Sequence, residues 1–252
     1  MAVSPRSQDK LDDFICGGYF IAKLASNSGP VDFCEICKAT LPPGEIVTLS
    51  TCLTVTLPNN WAYEWVSSSD EERQRSAAIW GLPESQLADF MRWTTEKQRA
   101  GEIGYPNVLL SLGAANELIR TFPISHDGWN TLGIGLRRDY TSNFVAVYTP
   151  TGPNEFPADT VTAVSKLAPL DPAGRIIGYE VLGLEANWFH SWYCSLAEND
   201  VSQALNIAPM PNGLIESYED AERIAKAAAK PHDAAPWGTV PWYPWAVVSY
   251  SL

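Results

Sequence analysis

This 252-residue chain is short of positive charge: 17 Lys and Arg stand against 29 Asp and Glu, with only three His. The formal charge of −12 repels phosphate backbones and anionic lipid surfaces, so neither nucleic acid nor a membrane is expected as a partner. No apolar run approaches the length of a membrane span, and no Asn-x-Ser/Thr sequon occurs. Cysteine is scarce and odd in number, five in all, which argues against a closed disulfide framework. Asp9, Asp12 and Asp13 precede the first apolar stretch, the wrong charge pattern for a signal peptide. A cytoplasmic protein with reduced thiols is therefore expected.

Catalytic signatures are missing as well. The sequence has no G-x-S-x-G elbow, P-loop, H-E-x-x-H or EF-hand. Gly133-Ile134-Gly135 opens like a dinucleotide fingerprint, but Arg138 stands where its third glycine belongs. Arg137-Arg138 beside Asp139 reads as a solvated turn. Pro241-Trp242-Tyr243-Pro244 matches P-x-x-P, with aromatics that suit packing better than presentation. Glu180 and Glu185, five residues apart on or beside an expected strand, point to opposite faces and make a poor acid–base pair.

Apolar and aromatic residues are plentiful. The chain is 46% hydrophobic, with ten Trp, ten Tyr and eight Phe, enough for a sizeable core. Strands are expected over 44–57, 175–184 and 242–252, and a strand pair over 130–149 whose stronger half is 144–148. Residues 10–24 suit a short helix or a strand, Gly17-Gly18 weakening the helix. Helices are expected from a capping box at Ser67 to about Trp80, over 83–101, from 114 to 122, from 198, and from Ser217 to Lys230. Strands and helices do not alternate regularly. An α+β fold is expected, with a mixed, mostly antiparallel sheet and several packed helices. Five prolines within 150–172 mark a long irregular connection. Its flanks look too strand-poor to stand alone, so one α+β domain over 1–252 is expected, with 150–173 as its sub-boundary.

Two patches have the spacing of metal ligands. Cys34 and Cys37 form C-x2-C, His190 and Cys194 form H-x3-C, and together they supply a Cys3His set for tetrahedral Zn²⁺. Alternatively, His190 one helical turn from Cys194 would lower the thiol pKa and serve a thiol-dependent enzyme. The same residues also suit buried thiols and one hydrogen-bonded His in a packed segment. A third group, Trp237, Trp242, Tyr243 and Trp245, lies between prolines that hold the backbone extended. Exposed, it would bind a protein or a sugar; buried, it would seal the core.

The stretches GYEVLG (178–183), FHSWYC (189–194), NGLIES (212–217) and PWYPWAVVSYSL (241–252) resemble bacterial cytosolic proteins without assigned activity. In kind, an acidic chain without catalytic motifs is similar to bacterial immunity proteins, which neutralise a basic toxin by binding. The likeness transfers no residue role. It implies a non-enzymatic, cytosolic binding protein of immunity or accessory type, without a cofactor. Such a protein would meet a basic protein partner through acidic steering and aromatic anchors.

Overall fold

Residues 14–23 read FICGGYFIAK, apolar at both alternate sets of positions, a pattern that only a strand covered on both sides can bury. The computed structural model describes residues 9–26, 41, 44–50, 53–54, 56–57, 70–71, 74, 78, 81–104, 108–122, 124, 128–149, 159–185, 188–194, 204–228 and 241–250. In it the run forms β1 (Phe14–Lys23), buried from Phe14 to Ala22. A single 3₁₀ turn, Leu11–Asp13, leads into it. β2 (Ala25–Ser26) and β3 (Glu45–Ile46) pair apart from the main sheet.

The main sheet is built around β1. β4 (Thr56–Leu57) pairs with it, as does β6 (Val108–Leu109), which is backed by β5 (Ile103–Gly104). Across its other edge lies β7 (Trp129–Arg137), followed in space by β10 (Trp242–Tyr250), β8 (Arg175–Glu185) and β9 (Trp188–Ser191). Every pairing among the described strands is antiparallel. With five helices against the sheet among the described residues, the architecture is α+β as expected. β1 and β7 precede the proline-rich stretch, β8 and β10 follow it, and all four share one sheet.

Helices cover both faces. On one side lie α1 (Leu87–Arg99), α2 (Leu112–Thr121) and α5 (Tyr218–Ala228). Their Phe90, Trp93, Leu118 and Ile224 belong to a core with Phe14, Tyr19, Val181 and Val248. On the other side α3 (Thr141–Tyr148) and α4 (Asp159–Ser165) bring Phe144, Val161 and Val164 against Ile15, Leu132, Ile134, Trp245 and Val247. Serines start two of the helices: Ala114 N–H donates to Ser111 Oγ at 3.1 Å, and Asp220 N–H to Ser217 Oγ at 3.2 Å. No helix among the described residues is long and apolar enough to cross a membrane.

Gly17-Gly18 turns out to serve the sheet. The β1–β7 register shifts between Cys16 and Gly18, a bulge that Gly18 permits at φ +126°. At Gly17 a Cβ would stand 2.6 Å from the Trp245 ring, so the missing side chain is what lets that indole approach β1.

Three expectations are corrected. The strand pair over 130–149 forms only in its first half, as β7; 144–148 belongs to helix α3. Helical spacing puts the Phe144 and Tyr148 rings 5.0 Å apart on the core side and leaves Val147 outside. The strand over 44–57 is reduced to two-residue ends, β3 and β4, around an irregular stretch. Inward threonines explain this: the hydroxyls of Thr48 and Thr54 donate to the Glu180 carboxylate and to the Lys23 carbonyl, in place of a ladder. Finally, the proline-rich connection contains α4. Most of the helix expected from Ser67 to Trp80, and the start of the one from 198, lie outside the described residues.

Replacing Gly17 with Ala is expected to lower stability by about 1–3 kcal/mol, because Trp245 must shift within a filled layer. Urea unfolding should show a reduced midpoint with an unchanged slope.

Candidate functional site

β8 starts beside the N-terminus of α5, and between them opens a cleft of about 600 Å³. Its walls come from the first half of β8, from residues 216–219 and from the segment ahead of β1. Gly178, at φ +148°, shapes the strand wall: a side chain there would meet Leu214 Cβ at 2.7 Å. This close approach lets Tyr179 and Ile215 exchange backbone hydrogen bonds of 2.9 and 2.8 Å, which fixes where the second wall begins.

The charged lining is one-sided. Asp9, Glu216 and Glu219 face Arg175, three carboxylates to one guanidinium. Tyr179 Oη donates to Asp9 Oδ2 at 2.6 Å, and burial together with that carboxylate pushes the phenol well above its ordinary pKa. Behind it the rings of Phe14, Tyr179 and Tyr218 cluster with centroids 5.7–6.3 Å apart. Arg137 is no solvated turn residue: its guanidinium lies over the Tyr218 ring at 4.7 Å, whereas Arg138 is exposed. The Tyr218 hydroxyl is buried without a hydrogen-bond partner among the described residues. Glu219 and Asp220 occupy the first turn of α5 and offset its positive end, so the helix terminus does not recruit an anion. Among the described residues the cleft lining contains no His or Cys, and its only serine, Ser217, caps α5. Its chemistry is attraction of a cation beside aromatic rings.

One residue along β8 the chemistry changes. Glu180 is 1% exposed and stands opposite Trp245 in the β8–β10 register. Its Oε2 accepts from Leu49 N–H at 3.0 Å, its Oε1 accepts from the Thr48 hydroxyl, and Ser191 adds a third hydrogen bond. Ser50 N–H in turn donates to Thr48 Oγ1 at 3.1 Å. These donors favour the carboxylate, but burial outweighs them and raises the carboxyl pKa to about 7. Taken with Glu185 alone, Glu180 does not stand out in the sequence. The signal that marks it is a lone carboxylate centred in an apolar strand, RIIGYEVLGL.

The residues singled out from sequence fall elsewhere. His190 sits in strand β9 opposite Gly183, half-buried, and burial lowers its pKa. Cys194 ends the 3₁₀ turn Trp192–Cys194, so the helical stacking of His190 on Cys194 does not form. Cys34, Cys37 and the Cys194 side chain lie outside the described residues, among which no group of three or more His, Cys, Asp or Glu could hold a metal ion. Of the aromatic tail, Trp237 is outside the described residues and Trp242 is half-buried. Tyr243 and Trp245 are 3% and 0% exposed, each packed on Phe144 at 5.2 Å, and so are core residues with no surface to offer a partner. The reason is topological: β10 lies inside the sheet. Pro244, which has no N–H to give, precedes the first residue paired with β7.

In comparison with known proteins, the chain matches no family model, no curated protein and no solved structure.

The Glu180 carboxyl fixes a pH dependence. With a pKa of about 7 in place of the ordinary 4.5, it holds its proton more tightly when folded. Its stabilising contribution is complete below pH 4.5 and is lost as pH rises to 7. At about 1.4 kcal/mol per pH unit, the loss is about 3 kcal/mol. The stability difference between wild type and Glu180→Gln, measured by urea unfolding, should therefore fall by that amount from acid to mildly alkaline pH. A flat difference would show that the carboxyl titrates alike in both states.

Proposed function

We propose that this chain is a non-enzymatic binding protein that takes a basic protein partner into the cleft between β8 and α5. The observation that carries the reading is the cleft's charge: Asp9, Glu216 and Glu219 against Arg175, over a floor of tyrosine rings. A Lys or Arg side chain entering there meets carboxylates at the rim and aromatic faces below, the two surroundings that stabilise a cation outside water. The chain's charge of −12 adds long-range attraction, which speeds encounter with a basic surface. The role fits a cytosolic protein of immunity or accessory type, which neutralises or escorts its partner by occupancy alone. Affinity comes from the cleft; Tyr243 and Trp245, being core, add none.

A Lys/Arg-rich peptide is expected to bind the purified protein in calorimetry, with affinity that drops as salt is raised. An Asp/Glu-rich peptide of equal length should not bind. Neutralising the rim with Glu216→Gln and Glu219→Gln together should weaken the basic peptide about 3- to 10-fold. Asp89→Asn with Glu96→Gln, both exposed on α1, removes the same charge and should leave it unchanged. Equal losses from the two pairs would reduce the effect to net charge and sink the cleft assignment.

A further inference from the structure

Immediately behind the cleft lies a polar cluster that the binding reading does not use. Tyr179 and Glu180 are consecutive in β8, so their side chains leave the strand on opposite faces: Tyr179 lines the cleft and Glu180 enters the layer behind it. Each element around Glu180 presents a neutral group. Residues 48–50 give the Thr48 hydroxyl and the Leu49 N–H, β9 gives Ser191, and β10 gives Trp245. The titratable group of β9, His190, alternates to the face away from Ser191. Lys23, at the end of β1, meets this segment through its carbonyl, which accepts from the Thr54 hydroxyl. No ion pair joins Glu180 to a described residue, so its negative form would sit in the core without a counter-ion.

The segment that Glu180 holds also braces the cleft. Val47 N–H donates to the Asn212 carbonyl at 2.8 Å. Ile46 fills the space beside Gly213, where an added Cβ would come within 2.6 Å of it. Tyr193, two residues from Ser191, donates its hydroxyl to the Gly213 carbonyl at 2.7 Å. From there the chain runs through Ile215, bonded to Tyr179, into the acidic wall at Glu216 and Glu219. Glu180 thus touches both supports of the 212–215 turn, directly through residues 48–49 and through Ser191 beside Tyr193.

Building on the cleft reading, we propose that Glu180 is a proton-controlled latch on that site. Neutral, it keeps residues 46–50 docked and the acidic wall in place; ionised, it loosens both and weakens capture of the basic partner. The latch weakens as pH rises from the carboxyl's ordinary 4.5 to about 7, its value when buried without a counter-ion in the docked form, and it is fully released above that.

Hydrogen exchange of the 252-residue chain without peptide, at about pH 5 and about pH 8 and corrected for intrinsic rates, tests the latch itself. Peptides covering 46–54 and 212–216 should lose at least tenfold protection at the higher pH, because most of the gap between 4.5 and about 7 is crossed. In Glu180→Gln that pH dependence should vanish. Thr48→Val, which removes a donor to the ionised form, should shift the transition to higher pH, and it serves alone if Glu180→Gln does not fold. Protection of 46–54 that is independent of pH in the wild type, or equally dependent in Glu180→Gln, would overturn the latch. The coupling is read separately, from the affinity of the Lys/Arg-rich peptide across the same pH range. It should fall at least threefold in the wild type and stay level in Glu180→Gln. A peptide that fails to bind at either pH, with the exchange switch intact, would dismiss the cleft reading and the coupling while leaving the latch on 46–50 standing.

Discussion

A sheet whose central strands have no wet face must be covered on both sides, and the rest of this molecule follows from how the cover is supplied. Antiparallel sheets commonly leave one face to solvent. Here β1, β7, β8 and β10 are apolar on both, and the five described helices divide between two cores. Where helices stop, irregular chain takes over, and residues 46–50 are buried without a strand partner on the main sheet. Buried backbone donors outside a ladder need acceptors. Leu49 N–H finds the Glu180 carboxylate, Ser50 N–H the Thr48 hydroxyl, and Val47 N–H the Asn212 carbonyl. The carboxyl in the core is thus the complement of a coil used as a lid.

The cleft has a related origin. β9 accompanies β8 only over Leu182–Glu185, and Ile215 meets it at Tyr179. Ahead of that bridge the outer edge of β8 is flanked by no described strand, and the chain turns away into α5. Of the charged groups that the surface brings to this corner, most are carboxylates, as befits so acidic a chain. Concavity and charge therefore coincide for reasons of topology and composition. Aromatic packing supplies the floor because Phe14, Tyr179 and Tyr218 come from three elements that meet there.

Much of the fold was legible in the sequence. The strand at 175–184, the closing strand expected over 242–252 and the helices after Pro83 and Ser217 carry clear periodicity and caps, and each forms close to its expected bounds over the described residues. The failures are those of composition mistaken for structure. Residues 144–148, FVAVY, are β-formers by propensity, yet the helix that puts Phe144 and Tyr148 on one core wins. The threonine-rich stretch 44–57 looks like a strand because nothing local reveals that Thr48 has a carboxylate 132 residues away to bind. The site was less legible still. Asp9, Arg175, Glu216 and Glu219 are ordinary surface residues one by one, and only the topology gathers them. Spacing favoured Cys34, Cys37, His190 and Cys194 because metal motifs are local patterns, whereas a charged corner is not.

Strand order also has a bearing on synthesis. β7 and β8 pair with β10 and not with each other, so β10 is the seam between two part-sheets. Until the ribosome has released Trp242–Tyr250, a nascent chain presents two unpaired apolar edges facing one another across an empty slot. Any truncation that removes the seam strand should direct the chain to proteolysis, since among the described strands only β10 pairs with both β7 and β8.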